Sequence, residues 1–122
     1  MFDRHQGGQN VLLVNVYSYA DTQDESEKLQ EHKELALSAG ADIISIISYC
    51  QNKPTPRFYL TSGRVEAIKE NVLSNKVDLV IFNCTLSPSQ ERNLEKVFEA
   101  RVLDRTGLIL DIFAQRARSY EG

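Results

Sequence analysis

Short apolar runs alternate along this chain with longer amphipathic segments, and this alternation restricts the possible folds more than any other feature of the sequence. Four of the apolar runs are rich in β-branched or aliphatic residues and are apolar on both faces, as buried parallel strands are. They cover residues 11–17, 43–48, 78–82 and 102–104. Strands that alternate with helices are typical of βαβ units. We therefore predict a small three-layer α/β domain with a four-stranded, mainly parallel sheet in the order 2-1-3-4, flanked by about four helices. The segment FYLT, residues 58–61, could add a short fifth strand.

The segments between the strands have the periodicity and the end signals of helices. Helices are predicted over residues 24–39, 63–75 and 106–117, and a further helix follows Ser87. Ser87 and Gln90 have the spacing of a capping box, with Pro88 at the first helical position. Thr106 is the expected N-cap of the last helix. The inner faces of the first three helices are predicted from their apolar residues: Leu29, Ala36 and Leu37; Val65, Ile68, Val72 and Leu73; Leu94, Val97 and Phe98.

The composition is that of one folded globular domain. The chain has 122 residues, of which 42% are hydrophobic and 25% charged, which is enough to bury a substantial core. Its net charge of -3 provides no overall field that attracts nucleic acid, so any such contact must come from a local patch. The apolar runs are too short to span a bilayer, and the start of the chain lacks the apolar stretch of a signal peptide. We therefore expect a cytoplasmic protein that needs no membrane.

The histidines and cysteines do not form a catalytic or metal-binding pattern. His5 lies in the N-terminal segment, and His32 lies within an acidic helix, where we expect it on the surface. Cys50 and Cys84 lie far apart at the ends of apolar runs, as buried free thiols often do. No Ser-His-Asp grouping supports nucleophilic catalysis. The sequence therefore predicts no catalytic residue and no metal site in this chain.

The loops that follow the strands are the places where an open parallel sheet binds its ligands. One of them leads into the acid-free run KPTPRFYLTSGR, residues 53–64. This run interleaves three cations with two aromatic residues: Lys53, Arg57 and Arg64 with Phe58 and Tyr59. The cations could contact phosphates while the aromatic rings stack on RNA bases. The alternative is that the aromatic residues belong to the core and the cations to an ordinary solvated surface.

The same run ends in a candidate phosphate site at the start of a helix. Ser62, Gly63 and Arg64 follow the FYLT segment, and a helix start offers free backbone N–H groups to an anion. The chain contains neither a P-loop nor the three spaced glycines of a dinucleotide site. An ordinary helix cap is the alternative interpretation of these three residues.

The last predicted helix is apolar around most of its circumference. Its apolar residues are almost adjacent in the sequence: Leu108, Ile109, Leu110, Ile112 and Phe113. Such a helix needs neighbours on two sides, whereas only five residues follow Ala117. We therefore expect that a further part of the natural protein covers this helix, and that the five apolar residues form an interdomain face. We also expect the isolated chain to self-associate through that face.

Long segments of the chain carry a resemblance to a known family. They are LSPSQERNLE and RVLDRTGLILDIFAQRARSYEG, supported by MFDR, KPTPRFYLTSGRVE and VDLVIFNCTLSPSQERNLE, so that the resemblance covers essentially the whole chain. In these segments the chain resembles the N-terminal domain of the HflX family of ribosome-associated GTPases. Members of the family usually have a glycine-rich GxGK-like stretch where this chain has TSGR, residues 61–64.

The resemblance implies a cytosolic protein that binds the large ribosomal subunit and its rRNA, and that helps to split or rescue stalled ribosomes under stress. It also implies a helical segment and a GTPase domain in cis, beyond Gly122. That GTPase domain would bind GTP and magnesium, and no GTP-binding residue is assigned in this chain. We expect the present domain to be a docking and positioning module. The alternatives are a nucleotide-binding domain that takes ATP at residues 62–64 and a purely structural cap.

Overall fold

The computed structural model describes residues 10–20 and 25–121, with side chains described as far as residue 114. These residues form strands and helices in strict alternation: β1 (Asn10–Tyr17), α1 (Glu25–Ser38), β2 (Asp42–Cys50), α2 (Ser62–Asn75), β3 (Leu79–Phe82), α3 (Pro88–Phe98), β4 (Arg101–Leu103) and α4 (Arg105–Glu121). The strands pair in the order β2-β1-β3-β4, and every pairing is parallel. The predicted α/β class and strand order are confirmed.

Helices cover both faces of the sheet, which produces three layers. One core lies between the sheet and the helices α2 and α3, and the helices contribute Val65, Ile68, Val72, Leu94 and Phe98 to it. A second core lies between the sheet and the helices α1 and α4, which contribute Ala36 and Leu108. β3 is buried on both faces, as expected for a central parallel strand. No helix in the described part of the chain is long and apolar enough to cross a membrane.

The inner face of α1 differs from the prediction. His32 and Ala36 are buried and Leu29 and Leu35 are half-buried, whereas Leu37 is exposed. Positions 29, 32 and 36 form one stripe at helical spacing, and Leu37 lies outside it. The prediction that His32 lies on the surface is therefore wrong, and so is the assignment of Leu37 to the inner face.

The helices α2 and α3 follow the prediction closely. α2 buries its predicted stripe except for Leu73, which is exposed because it lies beside the stripe. The capping box of α3 is confirmed, with Pro88 at the helix start. The Gln90 N–H donates to Ser87 Oγ at 3.1 Å, and the Ser87 N–H donates to Gln90 Oε1 at 2.8 Å. A purely local signal is sufficient to predict this helix start.

Residues 58–61 do not form a fifth strand of the sheet. Tyr59 makes only an isolated antiparallel bridge to Thr55, within the same loop. The φ angle of Tyr59 is 71°, which places its backbone in the left-handed region and interrupts the extended run. The possible fifth strand therefore does not form, and the sheet has the four strands that were predicted.

The helix α4 begins one residue earlier than predicted. It starts at Arg105, and its capping side chain is that of Asp104, whose Oδ1 accepts the Gly107 N–H at 2.8 Å. A Cβ atom on residue 107 would lie 3.2 Å from Leu103 Cδ2 and 3.3 Å from Asp104 Oδ1, so glycine leaves the room that this capping contact needs. The assignment of Thr106 as the N-cap is wrong, because the preceding carboxylate does the capping.

Candidate functional site

The β2–α2 loop, residues 51–61, follows the carboxyl end of β2 and folds back on itself. Thr55 and Tyr59 exchange two backbone hydrogen bonds, of 2.9 and 3.1 Å. The Thr55 hydroxyl donates to Leu60 O at 3.0 Å and accepts the Phe58 N–H at 3.3 Å. Thr55 therefore closes the turn with both its backbone and its side chain.

The helix α3 holds this loop from the side. The Gln90 side-chain amide donates to Thr55 O at 2.8 Å, and the Asn93 amide donates to Arg57 O at 3.0 Å. Gln90 thus serves twice, since its other side-chain atom completes the capping box. Because the loop backbone is already held in one conformation, binding a partner through it costs little ordering entropy.

Arg64 fixes the base of the loop to the end of β2. Its Nη1 donates to Cys50 O at 2.7 Å and to Gln51 Oε1 at 3.3 Å. Its guanidinium carbon lies 4.8 Å from the centroid of the Tyr49 ring, at the distance of a cation–π contact. Arg64 is therefore engaged within the domain, although the sequence placed it among the cations that could contact phosphates.

Lys53 and Arg57 remain as the exposed cations of the loop. The guanidinium carbon of Arg57 lies over the Phe58 ring, 5.0 Å from its centroid, at the distance of a cation–π contact. Phe58 and Tyr59 are half-buried and pack against the core beneath α2 and α3. The loop thus combines both interpretations of the sequence, because its cations face solvent while its aromatic rings belong largely to the core.

The start of α2 is an ordinary helix start. Ser62 and Gly63 are exposed, and the N-cap residue Thr61 makes no capping hydrogen bond with its side chain. A Cβ atom on residue 63 would meet nothing within 4 Å. The backbone at Gly63 therefore has no close approach that requires glycine, and the geometry does not single out these residues as a phosphate cradle.

Tyr19 is an exposed aromatic residue that sequence reasoning missed. Its side chain is 86% exposed, and its backbone N–H donates to Asn52 Oδ1 at 3.0 Å, which places it beside the β2–α2 loop. The available signal was its position just after the carboxyl end of β1, in a loop where ligands bind to open sheets. Tyr19 adds an aromatic surface next to the exposed cations of the loop.

At the carboxyl ends of β1 and β3, the crevice between these two strands is filled by the protein's own polar side chains. In this strand order the crevice is the switch point at which open sheets bind ligands. Asn83 accepts the Val16 N–H at 2.8 Å, and its amide donates to Val16 O at 3.1 Å and to Asn15 Oδ1 at 2.8 Å. Both asparagines are buried. Asn83 therefore extends the pairing of β3 with β1 and satisfies the polar groups that a ligand would otherwise meet.

Two titratable groups, the buried His32 and the partly buried Cys84, are held neutral at physiological pH. Burial raises the pKa of the Cys84 thiol to about 12, which leaves it without the thiolate form that a nucleophile needs. Burial lowers the pKa of the His32 ring to about 4, and its Nε2 lies 3.0 Å from Ile81 O. Among the described residues, no group of three or more His, Cys, Asp or Glu is placed to hold a metal ion.

The helix α4 presents an apolar face to solvent. Leu110 is 62% exposed and Phe113 is 65% exposed, whereas Leu108 is fully buried against the sheet. The assignment of Leu108 to an interdomain face is therefore wrong. A groove of about 190 Å³ runs between α1 and α4 and is lined by Leu35, Ser38, Ile109, Ile112 and Phe113. The groove and the two exposed residues together form what we call the α4 face.

The described residues thus define a small parallel α/β domain with a closed switch point, a rigid cationic loop and an uncovered helix face. The chain belongs to the family of GTP-binding GTPase N-terminal domains, whose family model matches residues 26–114. The type of domain expected from the sequence, the N-terminal domain of HflX GTPases, is confirmed.

Relatives of known name support this assignment. The chain is 46% identical over 123 residues to GTPase HflX of Escherichia coli strain K12, with all of the chain and 28% of the relative covered. It is 40% identical over 112 residues to GTPase HflX of Flavobacterium psychrophilum, with 91% of the chain and 27% of the relative covered. The chain therefore spans little more than a quarter of the length of these relatives.

Solved structures support the fold. A complex of the protein SsGBP with GDP superposes with a TM-score of 0.66 at 23% identity, and the match covers 87% of this chain and 29% of that one. A GTP-binding protein from the archaeon Sulfolobus solfataricus, in complex with GDP, has a TM-score of 0.61 at 21% identity over 84% of this chain and 30% of that one. At these identities the likeness concerns the fold alone.

Proposed function

We propose that this chain is the docking and positioning module of a GTPase that binds the large ribosomal subunit and helps to split or rescue stalled ribosomes. The observation that carries the proposal is the rigid, acid-free β2–α2 loop with its exposed Lys53 and Arg57. GTP and magnesium belong to the GTPase domain of the longer protein, and no residue of this chain is assigned to them.

Charge distribution supports docking through this loop and not through the surface of α1. The chain as a whole is acidic, and the exposed residues of α1 include Glu25, Glu27, Glu31 and Glu34. An RNA phosphate backbone is repelled by that helix and attracted by the loop. The exposed Tyr19 beside Asn52 adds a ring on which an unpaired base can stack.

The α4 face supports the positioning part of the proposal. Leu110 and Phe113 are large apolar residues that are mostly exposed, next to an apolar groove. Exposed apolar patches of this kind are typical of interaction sites. We assign this face to the remaining helical and GTPase parts of the protein in cis, so that the loop and the GTPase domain are held in a fixed relation.

The double variant Lys53→Ala/Arg57→Ala tests the docking loop. We expect its affinity for purified large ribosomal subunits to fall by about tenfold or more, because two phosphate contacts are lost. The slope of log affinity against log salt should become shallower by about 2 for the same reason. Co-sedimentation of the chain with the subunits over a series of salt concentrations measures both quantities.

Lys76→Asn is the matched control for this experiment. Lys76 lies at the end of α2, beside the amino ends of β1 and β3, whereas the loop follows the carboxyl end of β2. Its φ is 52°, which asparagine tolerates. Its removal also deletes one cation, but both the affinity and the salt slope should stay close to those of the wild type. Equal losses in the control and the loop variant would refute docking through the loop, and a wild-type chain that does not bind the subunit would refute the proposed function itself.

The nucleotide-binding alternative makes a different prediction. Because Arg64 is already engaged with Cys50 O and Gln51, we expect titration of the chain with millimolar ATP to produce no saturable heat in calorimetry. Saturable heat that disappears in Arg64→Glu would instead support an ATP site at residues 62–64.

A further inference from the structure

The helices α2 and α3 and the β2–α2 loop together enclose a cleft of about 330 Å³, which we call the α2–α3 cleft. Its lining comes from the middle of the loop, from one face of α2 and from the last turn of α3 with the residue that follows it. A cleft of this volume lies at the lower end of the range for ligand sites. It therefore has room for one small group and not for an extended ligand.

The floor of the cleft is apolar and is fixed in position. It consists of Phe58 from the loop, Val65 from α2 and Val97 from α3. Val65 is buried, and the other two are half-buried and pack against the core. The hydrogen bond from the Asn93 amide to Arg57 O, at 3.0 Å, ties the loop to α3 one helical turn before Val97. The floor thus offers a preformed surface to a flat apolar group.

The charged side chains of the cleft are of both signs. Three cations, Arg57, Lys69 and Lys96, line it together with two carboxylates, those of Glu66 and Glu99. The carboxylates would repel an acidic peptide or a bare phosphate ion. A nucleotide can use all five groups, because its phosphate attracts the cations and an amino group on its base can donate to a carboxylate.

Arg57 provides a stacking platform at the cleft. Its guanidinium lies over the Phe58 ring, 5.0 Å from the ring centroid. Bases that are not paired stack on arginine planes as well as on aromatic rings. The plane of Arg57 can therefore carry a base while its edge donates to a phosphate.

We propose that the α2–α3 cleft takes one unpaired nucleotide of an RNA strand. Its base lies on the apolar floor beside Arg57, and its phosphates contact Lys69 and Lys96. This inference rests on the proposed docking function, since Arg57 belongs to both the β2–α2 loop and the cleft, and one strand can cross from the first to the second. A free nucleotide lacks the neighbouring contacts at the loop, so measurable affinity requires a strand.

The carboxylates make the cleft selective among bases. Cytosine carries an amino group that can donate to Glu66 or Glu99, whereas uracil has none. The wild-type chain should bind a short labelled oligocytidylate about fivefold or more tightly than an oligouridylate of the same length, as measured by fluorescence anisotropy. Equal affinities for the two oligonucleotides, or binding of neither, would overturn the inference.

The double variant Glu66→Ala/Glu99→Gly tests the origin of this preference. Glycine fits the left-handed backbone of residue 99, whose φ is 53°. The variant should bind oligouridylate more tightly than the wild type does, because two negative charges are removed, and it should no longer distinguish the two oligonucleotides. A preference that survives in this variant would contradict the assignment, since a change of charge alone affects both oligonucleotides equally.

The double variant Lys69→Ala/Lys96→Ala tests the phosphate contacts on purified large ribosomal subunits. We expect its affinity to fall by about tenfold and its salt slope to become shallower by about 2. Alanine favours the helical conformation, and circular dichroism verifies that the variant folds. The control Lys33→Ala/Lys76→Asn also removes two cations, but Lys33 lies in α1, on the opposite face of the sheet, and Lys76 lies outside the cleft. It should bind like the wild type.

The outcomes separate this inference from the proposed function. If the wild-type chain binds the subunits and the cleft variant binds as well as its control, the cleft is refuted while docking through the loop stands. A wild-type chain that does not bind the subunits refutes the proposed function and this inference with it. Tighter binding of a labelled oligoglutamate than of either oligonucleotide would overturn the inference in favour of an acidic protein partner.

Discussion

Between neutral pH and about pH 4, the wild-type chain should lose about 3 kcal/mol more unfolding free energy than the variant His32→Gln. Burial lowers the pKa of His32 from 6.5 to about 4 in the folded state. Below about pH 6.5 the unfolded chain therefore binds a proton at His32, whereas His32 of the folded chain stays neutral until the pH approaches 4. The stability that neutral His32 contributes is complete above pH 6.5 and is lost as the pH falls towards 4. The difference between the two pKa values corresponds to about 3 kcal/mol.

The geometry explains why His32 stays unprotonated in the folded state. His32 lies on the face of α1 that packs against the sheet, and since a carbonyl can only accept, its Nε2–H donates to Ile81 O. A second proton would place a charge in a buried site and near the cation of Arg105, whose charge also lowers the pKa. Burial is the larger of these two effects.

Urea denaturation at a series of pH values measures this effect. Glutamine retains an N–H donor but does not titrate. The carboxylates are the same in the two proteins, so their titration cancels when the two unfolding free energies are subtracted. His5 is present in both as well. If the two stability profiles run parallel between neutral pH and pH 4, the buried, neutral state of His32 is refuted.

The features that the sequence predicts well are those set by neighbouring residues. The Ser87–Gln90 capping box connects positions three residues apart, and the structure reproduces both of its hydrogen bonds. The strand order 2-1-3-4 follows from alternation and from the rules for connecting parallel strands, which need no knowledge of particular contacts.

The errors arise where a distant residue decides the outcome. His32 and Leu37 lie in the same acidic helix, and only the position of β3 beneath α1 shows that the histidine faces inward. Its partner Ile81 is 49 residues away. The pairing of Asn83 with Asn15 spans 68 residues, and no local pattern indicates that these two amides close the switch point.

The sequence predicts which segment forms the candidate site, but not how the side chains of that segment are arranged in space. Lys53, Arg57 and Arg64 look alike in the sequence, because each is a cation in a run without acids. The structure separates them, since the carbonyl of Cys50 at the end of β2 engages Arg64 and leaves the other two exposed. Tyr19 joins them through Asn52, a contact across 33 residues that the sequence does not indicate.

Replacement of Asp104 by alanine should lower the free energy of unfolding by about 3 kcal/mol, because two backbone N–H groups lose a carboxylate acceptor. Asp104 Oδ1 accepts the Gly107 N–H at 2.8 Å, and Asp104 Oδ2 accepts the Leu86 N–H at 3.0 Å. Asp104 and Leu86 are buried, so water does not replace the lost acceptor freely. This carboxylate connects the segment before α3 to the first turn of α4.

Asp78→Ala is the matched control for this prediction. Asp78 also accepts a backbone N–H through its side chain, that of Asn10 at 3.1 Å, but it is exposed and water can take its place. Its replacement should cost less than about 1 kcal/mol, and Asp104→Asn, which keeps one acceptor oxygen, should fall between the two alanine variants. Urea denaturation at neutral pH measures all three. Similar losses for Asp104→Ala and Asp78→Ala would show that the two buried contacts do not hold α4 in place. The orientation of the α4 face would then have to depend on apolar packing, which includes that of Leu108 and Ile112.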